Sequence, residues 1–290
     1  MTGTFLPDFV CTSGADAFAE RQNPMDRPAR HPTPPRETHT VGLRWPRVRT
    51  EPQAAAFIRA AGYCLLFPVR RLPLPSLYWA VARRPIQLGP EWDAACEKIW
   101  RWKDELPLRR RAFYAKVFRG RGTFIAPEML PHFLALQQPP FCLQDPEPLY
   151  AAGVLSAPAA AIWKTLQREG PLATVALRHA CGMISPSDNR RFQRAMLELQ
   201  SKLVLTHFGA EPETAAWPSN RFELTARAFP RQVAAAENCS PAEARAAILR
   251  RSLVWRSRAA PAELGRLFGW SREETLAAWT EAIGRGPARM

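Results

Sequence analysis

Apolar residues recur at helical spacing along most of this chain and alternate in only a few short stretches. Thr50-Glu-Pro-Gln-Ala reads as the capped start of a helix that runs to Ala61 and is stopped by Gly62. Cys64 to Pro68 predicts a short apolar strand, and Pro73 to Arg83 a second short helix. From Glu91 to Leu106, Trp92, Ala95, Cys96, Ile99 and Trp102 mark one apolar helical face, and Pro107 should end that helix. Ala112 to Phe118 alternates loosely; Arg119-Gly-Arg-Gly122 and Thr123-Phe-Ile125 follow, so two strands around a glycine-containing turn predict a hairpin. Pro127 to Leu136 reads as one more helix.

The Pro- and Gln-rich stretch Gln137 to Tyr150 reads as a linker. Ser156-Ala-Pro-Ala opens a helix to Glu169, and Gly170 to Thr174 turns into a helix over Val175 to Cys181. Ser187-Asp-Asn opens a third helix to Leu203, after which Val204 to Phe208 leaves as a strand. In the third helix, Phe192, Ala195, Met196, Leu199 and Leu203 form the apolar stripe, with Arg190, Arg191, Arg194, Glu198 and Ser201 opposite. Residues 221–285 form a further helical block with two capping boxes, Ser240/Glu243 and Ser271/Glu274. Helices followed by a basic-tipped hairpin are the sequence form of a winged-helix unit. The expected fold is mainly α with small β-hairpins, built as tandem winged-helix (helix-turn-helix) units. The expected divisions are a Pro-rich tail over 1–45, a first unit over 46–140, a second over 151–215 and a helical or winged-helix-like unit over 216–290. A length of 290 residues fits two or three small domains.

Charge sharpens this picture. The net +14 falls entirely within residues 46–290, because five arginines cancel five acids in residues 1–45. A basic folded body beside a neutral, disorder-prone tail points to a polyanion, nucleic acid before a membrane surface. Met25 is an alternative start. No apolar run approaches the ~20 residues of a membrane span, and the first ten residues lack the order of a signal peptide. A cytoplasmic, nucleoid-associated monomer is expected. The six cysteines are scattered and no C-x-x-C pair occurs, so neither a zinc site nor a disulfide framework is expected, and no cofactor is implied.

The densest chemistry lies between Lys98 and Gly122. Nine cationic residues stand there against Asp104 and Glu105, half of the whole excess of +14. Guanidinium forks bind phosphate and flat rings stack on bases, so Arg101, Lys103, Arg109, Arg110, Arg111, Tyr114, Lys116, Arg119 and Arg121 are candidate DNA contacts. Arg190, Arg191 and Arg194 join them if the third helix of the second unit enters a major groove. The alternative is an ordinary three-helix core with solvated arginines.

Several stretches carry a family resemblance: A-G-Y-C-L-L-F-P (61–68), L-P-S-L-Y (74–78), R-W-K-D-E-L (101–106), R-R-A-F-Y-A-K (110–116), G-P-L-A-T-V-A-L-R (170–178) and R-A-M-L-E-L-Q (194–200). On these the chain resembles the AlkZ-related proteins of the AlkZ/YcaQ superfamily of bacterial DNA glycosylases. The resemblance implies double-stranded DNA as partner and excision of alkylated or crosslinked bases. Active members carry Gln-x-Gln or Gln-x-Asp between a glycine and a proline; laid on Gly62 and Pro68, those two polar positions read Leu65 and Phe67. Neither side chain holds water or stabilises an oxocarbenium-like sugar. The family's Trp-x-His-Glu element corresponds to Trp102-Lys103-Asp104-Glu105, which makes Glu105, then Asp104, the candidate catalytic groups. Two alternatives stand beside that assignment. The carboxylates are structural partners of Arg101, Lys103 or Arg109, or the protein is a regulator or lesion sensor that binds duplex DNA without cutting it.

Overall fold

The computed structural model describes residues 45–70, 72–84, 93–212 and 218–284. The expected tail, apart from Trp45, lies outside the described residues, as do Glu91 and Trp92 at the expected start of the long basic helix. The chain is mainly helical with two small antiparallel sheets.

One order of elements occurs twice. The first run is α1 (Glu51–Ala61), β1 (Tyr63–Leu65), α2 (Leu77–Ala82), α3 (Ala94–Leu108), β2 (Phe113–Phe118) and β3 (Arg121–Ile125). The short α4 (Leu130–Leu134) and α5 (Pro146–Ala151) follow it. The second run is α6 (Ala157–Glu169), β4 (Leu172–Ala173), α7 (Thr174–Ala180), α8 (Asn189–Ser201), β5 (Leu205–Pro212) and β6 (Pro218–Leu224). In each sheet the third strand lies between the other two, antiparallel to both. Among the described residues five helices follow: α9 (Thr225–Ala228), α10 (Pro230–Glu237), α11 (Pro241–Trp255), α12 (Pro261–Phe268) and α13 (Arg272–Gly284).

Local signals set most of these boundaries. The Thr50 hydroxyl accepts from the Gln53 N–H to open α1, and the expected capping boxes form at Ser240/Glu243 and Ser271/Glu274. Four stretches differ most from expectation. Helix α3 passes Pro107 and ends at Leu108, because a proline in the last turn forfeits one hydrogen bond while the next turn still closes. Arg111 N–H reaches the Leu106 carbonyl and Arg110 N–H the Pro107 carbonyl, both at 2.9 Å. Arg110 takes the left-handed position (φ +55°) that glycine usually fills in this type of helix end. The stretch read as a linker contains a 3-10 turn at Phe141–Leu143 and α5, opened by the Asp145 side chain. The expected helix over 127–136 keeps only the five residues of α4, and the last block begins as strand β6.

Two apolar cores form. The smaller packs α6, α7 and α8 on the second sheet around Trp163, Leu166, Phe192 and Leu199. The larger joins α1–α4 and the first sheet to α9–α13. Tyr63 lies edge-on to Trp255 (5.8 Å) and Phe133 (5.2 Å), and its hydroxyl meets Ser252 Oγ at 2.5 Å. The fully buried Trp255 donates its indole N–H to the Ala61 carbonyl at 3.2 Å, so its polar edge is satisfied inside the core. Between the two runs, the Thr206 hydroxyl accepts from Tyr114 N–H at 3.4 Å and donates to the Tyr114 carbonyl at 3.1 Å.

Candidate functional site

Helix α3 turns Cys96, Ile99, Trp102, Lys103 and Leu106 inward. Its opposite face, with Glu97, Trp100, Arg101, Asp104 and Glu105, lines a cleft of about 620 Å³ whose far wall includes Gly209 and Ala210 of β5. Gly209 suits the backbone conformation at this point. Its φ is +95°, beside a bulge between His207 and Ala210, and a Cβ there would stand 3.5 Å from the Leu108 side chain.

Both candidate carboxylates face this cleft, but their surroundings differ. Glu105 is partly exposed and lies 3.6 Å from Arg101 one turn back. Asp104 is largely covered, with Oδ1 at 2.6 Å from Lys103 Nζ. The Lys103 side chain is 2% exposed; its ammonium also reaches Asn220 Oδ1 at 2.6 Å and stands 4.6 Å from the Trp100 ring centre. Burial pushes the Asp104 carboxyl above its usual range, with Lys103 partly offsetting the rise. Burial likewise holds Lys103 below the usual lysine range, with Asp104 partly restoring it. His207 lies close by, between the rings of Tyr114 (4.8 Å) and Phe222 (4.6 Å). Burial, then the nearby charges of Lys103 and Lys116, holds its pKa well below the ordinary value, so the ring is neutral. Its Nδ1 is buried with no hydrogen-bond partner among the described residues.

The twelve residues expected to meet DNA separate into groups. Lys103 and Tyr114 are interior, 1% and 5% exposed, and neither reaches the surface where a phosphate would lie. Arg109 and Arg111 both turn to Glu51, at 3.5 and 2.8 Å. Arg110 donates to the Ala228 carbonyl at 2.8 Å, with its guanidinium over Phe208. Lys116 is half-buried on β2, its backbone N–H donating to Gln200 Oε1 at 3.2 Å. Arg101 is exposed beside the cleft.

The remaining five come together. Arg119 and Arg121 flank Gly120 at the tip of the β2–β3 hairpin, where a Cβ on Gly120 would stand 3.4 Å from Leu197 of α8. Leu197 lies three residues beyond Arg194 and seven beyond Arg190, on one helical face. Arg190, Arg191 and Arg194 are exposed there. The hairpin tip of the first run thus lies beside the third helix of the second, and both carry exposed arginines.

The positions that the resemblance singles out lie elsewhere. Leu65 ends β1 fully buried, and Phe67 packs on Tyr78 at 5.9 Å. The Tyr78 hydroxyl donates to Asp93, which caps the start of α3. Asp104 is eleven residues further along that helix, roughly 16 Å at the α-helical rise, and neither Leu65 nor Phe67 lines the cleft that the two carboxylates face.

Sequence reading missed Asn220 and His207. Asn220 carries no local signal, being 117 residues from the lysine it binds. The burial of Lys103 had one: position 103 follows Cys96 and Ile99 at helical spacing, on the apolar stripe.

These features define a mainly helical protein with a paired, two-fold repeated element order, exposed arginines on neighbouring elements and an acid-lined cleft. The chain belongs to the AlkZ-related family, whose model matches residues 48–269. No curated protein and no solved structure matches it. Among the described residues there is no group of side chains able to hold a metal ion, and no helix long and apolar enough to cross a membrane.

Proposed function

We propose that this protein binds duplex DNA through two winged-helix units and excises an alkylated base in the cleft beside α3. The observation carrying this reading is the approach of the hairpin tip to Leu197 of α8, which sets exposed arginines from distant parts of the sequence on neighbouring elements. The repeated order helix–strand–helix–helix–strand–strand supports the winged-helix assignment, with β2–β3 as a wing and α8 as the groove-facing helix. Family membership supports the chemistry of base excision.

In this reading Arg119, Arg121, Arg190, Arg191 and Arg194 hold phosphates and set the register. Trp100 offers a ring to a cationic base, which already leaves readily. Glu105, the more exposed carboxylate, orients the attacking water, and Asp104 takes the proton that water loses. The partner is double-stranded DNA carrying an alkylated or crosslinked base. The protein acts as a monomer of the cytoplasm and nucleoid.

A second reading, duplex binding without cleavage, is favoured by the apolar burial of Leu65 and the packing of Phe67 on Tyr78. Incubation with duplex DNA bearing an N7-alkylguanine, scored as abasic sites, decides between them. Base release above the spontaneous rate, abolished in Glu105→Gln, is expected. Tight, salt-sensitive binding with no release above background would leave the binding reading alone.

A further inference from the structure

We propose a second reaction for the same cleft: scission of the DNA strand at an abasic site through an imine between Lys103 Nζ and C1′ of the deoxyribose. The proposal rests on the DNA reading above.

An amine attacks an aldehyde only as the free base, so a solvated lysine is a poor nucleophile at neutral pH and a desolvated one is a good one. Lys98 lines the cleft and is partly solvated. Lys103 is different. Its side chain is 2% exposed, its ammonium touches Asp104 and Asn220 at 2.6 Å each, and the Trp100 ring covers it at 4.6 Å. Asp104 and Trp100 both line the cleft, so the amine stands one side chain behind its wall. Lys103 does not itself line the cleft, so its flexible four-carbon stem must swing Nζ past Asp104 as the Asn220 contact is exchanged for substrate. Burial disfavours the charge on both members of the pair, and the 2.6 Å contact makes Asp104 the acceptor within reach of the amine's proton.

The reaction balances without a redox partner. The neutral amine adds to the aldehyde carbon of the opened sugar, the former carbonyl oxygen takes a proton from solvent, and the nitrogen gives one to Asp104. Asp104 returns that proton to the hydroxyl, which leaves as water, and the imine forms. Asp104, a carboxylate again, takes the C2′ proton; that C–H electron pair forms the C2′–C3′ double bond as the C3′–O bond breaks and the 3′ phosphate leaves with its electrons. Water hydrolyses the remaining imine and frees Lys103. Stability of the fold alone does not call for this arrangement, since a buried ion pair gains little over apolar side chains of the same size.

The test uses the full chain and a duplex with one preformed abasic site, so that base excision is not required. Binding is measured first; sodium borohydride then traps any imine, and the adduct is mapped by peptide mass spectrometry. A covalent adduct on Lys103, with strand scission in the absence of alkali, is expected. Lys103→Arg keeps a cation against Asp104 but lacks a primary amine, so it should lose the adduct to the no-protein background, its fold checked by circular dichroism. Binding without an adduct, or an adduct on Lys98, Lys116 or the N-terminus, overturns the proposal and leaves the DNA reading standing. Failure to bind the abasic duplex overturns both. Because mapping is done on the unaltered protein, the outcome does not depend on a variant that folds.

Discussion

Replacing Lys103 by methionine tests the physical account of the cleft most directly. The change keeps the side-chain volume near Asn220 but leaves Asp104 largely covered and without its cation. At 2.6 Å, with an effective dielectric near 20, the lost attraction is about 6 kcal/mol, set against a desolvation cost of several kcal/mol per ion. Breaking such a pair from one side costs about 3–5 kcal/mol, because the remaining charge stays buried. The pH dependence follows from the direction of the Asp104 shift. Without the lysine, the folded-state pKa rises further above the ordinary 3.8, so the native state binds more protons than the unfolded chain. The variant therefore loses stability relative to the unaltered protein as pH rises from the raised Asp104 pKa of the unaltered protein to the still higher one of the variant, by up to about 1.4 kcal/mol per pH unit, and the deficit narrows as pH falls through that window. Urea unfolding followed by tryptophan fluorescence at several pH values measures this. Lys103→Met combined with Asp104→Leu removes both charges and should recover most of the loss. A single variant within about 1 kcal/mol of the unaltered protein at pH 7 would refute the reasoning, since surface pairs are worth no more than that. So would a double variant no more stable than the single one.

Two further outcomes are expected. Alanine at Arg119, Arg121 and Arg194 together should flatten the dependence of log binding constant on log salt by about 0.9 for each phosphate that is no longer neutralised, as read by fluorescence anisotropy on duplex DNA. Trp255→Ala should cost about 3–5 kcal/mol in chemical denaturation, because it empties a fully buried site and removes the indole bond to Ala61 that ties α11 to α1.

Much of the secondary structure is legible in the sequence because its determinants are local. Thr50, Ser156 and Ser240 each cap a helix using an N–H three residues ahead, and the turn at Arg119–Gly120 sets its own hairpin. Local rules fail where a neighbour outvotes them. Pro107 reads as a stop, yet the turn closed by Arg110 and Arg111 carries the helix past it. The stretch 137–150 reads as a linker, yet Phe141 and Leu149 are buried in the second core.

The candidate site divides along the same line. By itself the sequence determined that the body is basic, that Asp104 and Glu105 lie on a helix in a cationic segment, and that arginines line one face of the helix from Asn189 to Ser201. Charge and helical period need nothing beyond the chain's own order. Tertiary structure decided which of those groups act together. It buried Lys103 against Asn220, turned Arg109 and Arg111 to Glu51, and brought the hairpin tip to Leu197 beside the arginines of α8. Each of these joins residues far apart in the chain, and forms when apolar stripes from separate segments close over shared cores. A periodic pattern shows that a residue faces inward; what it meets there is set only by packing.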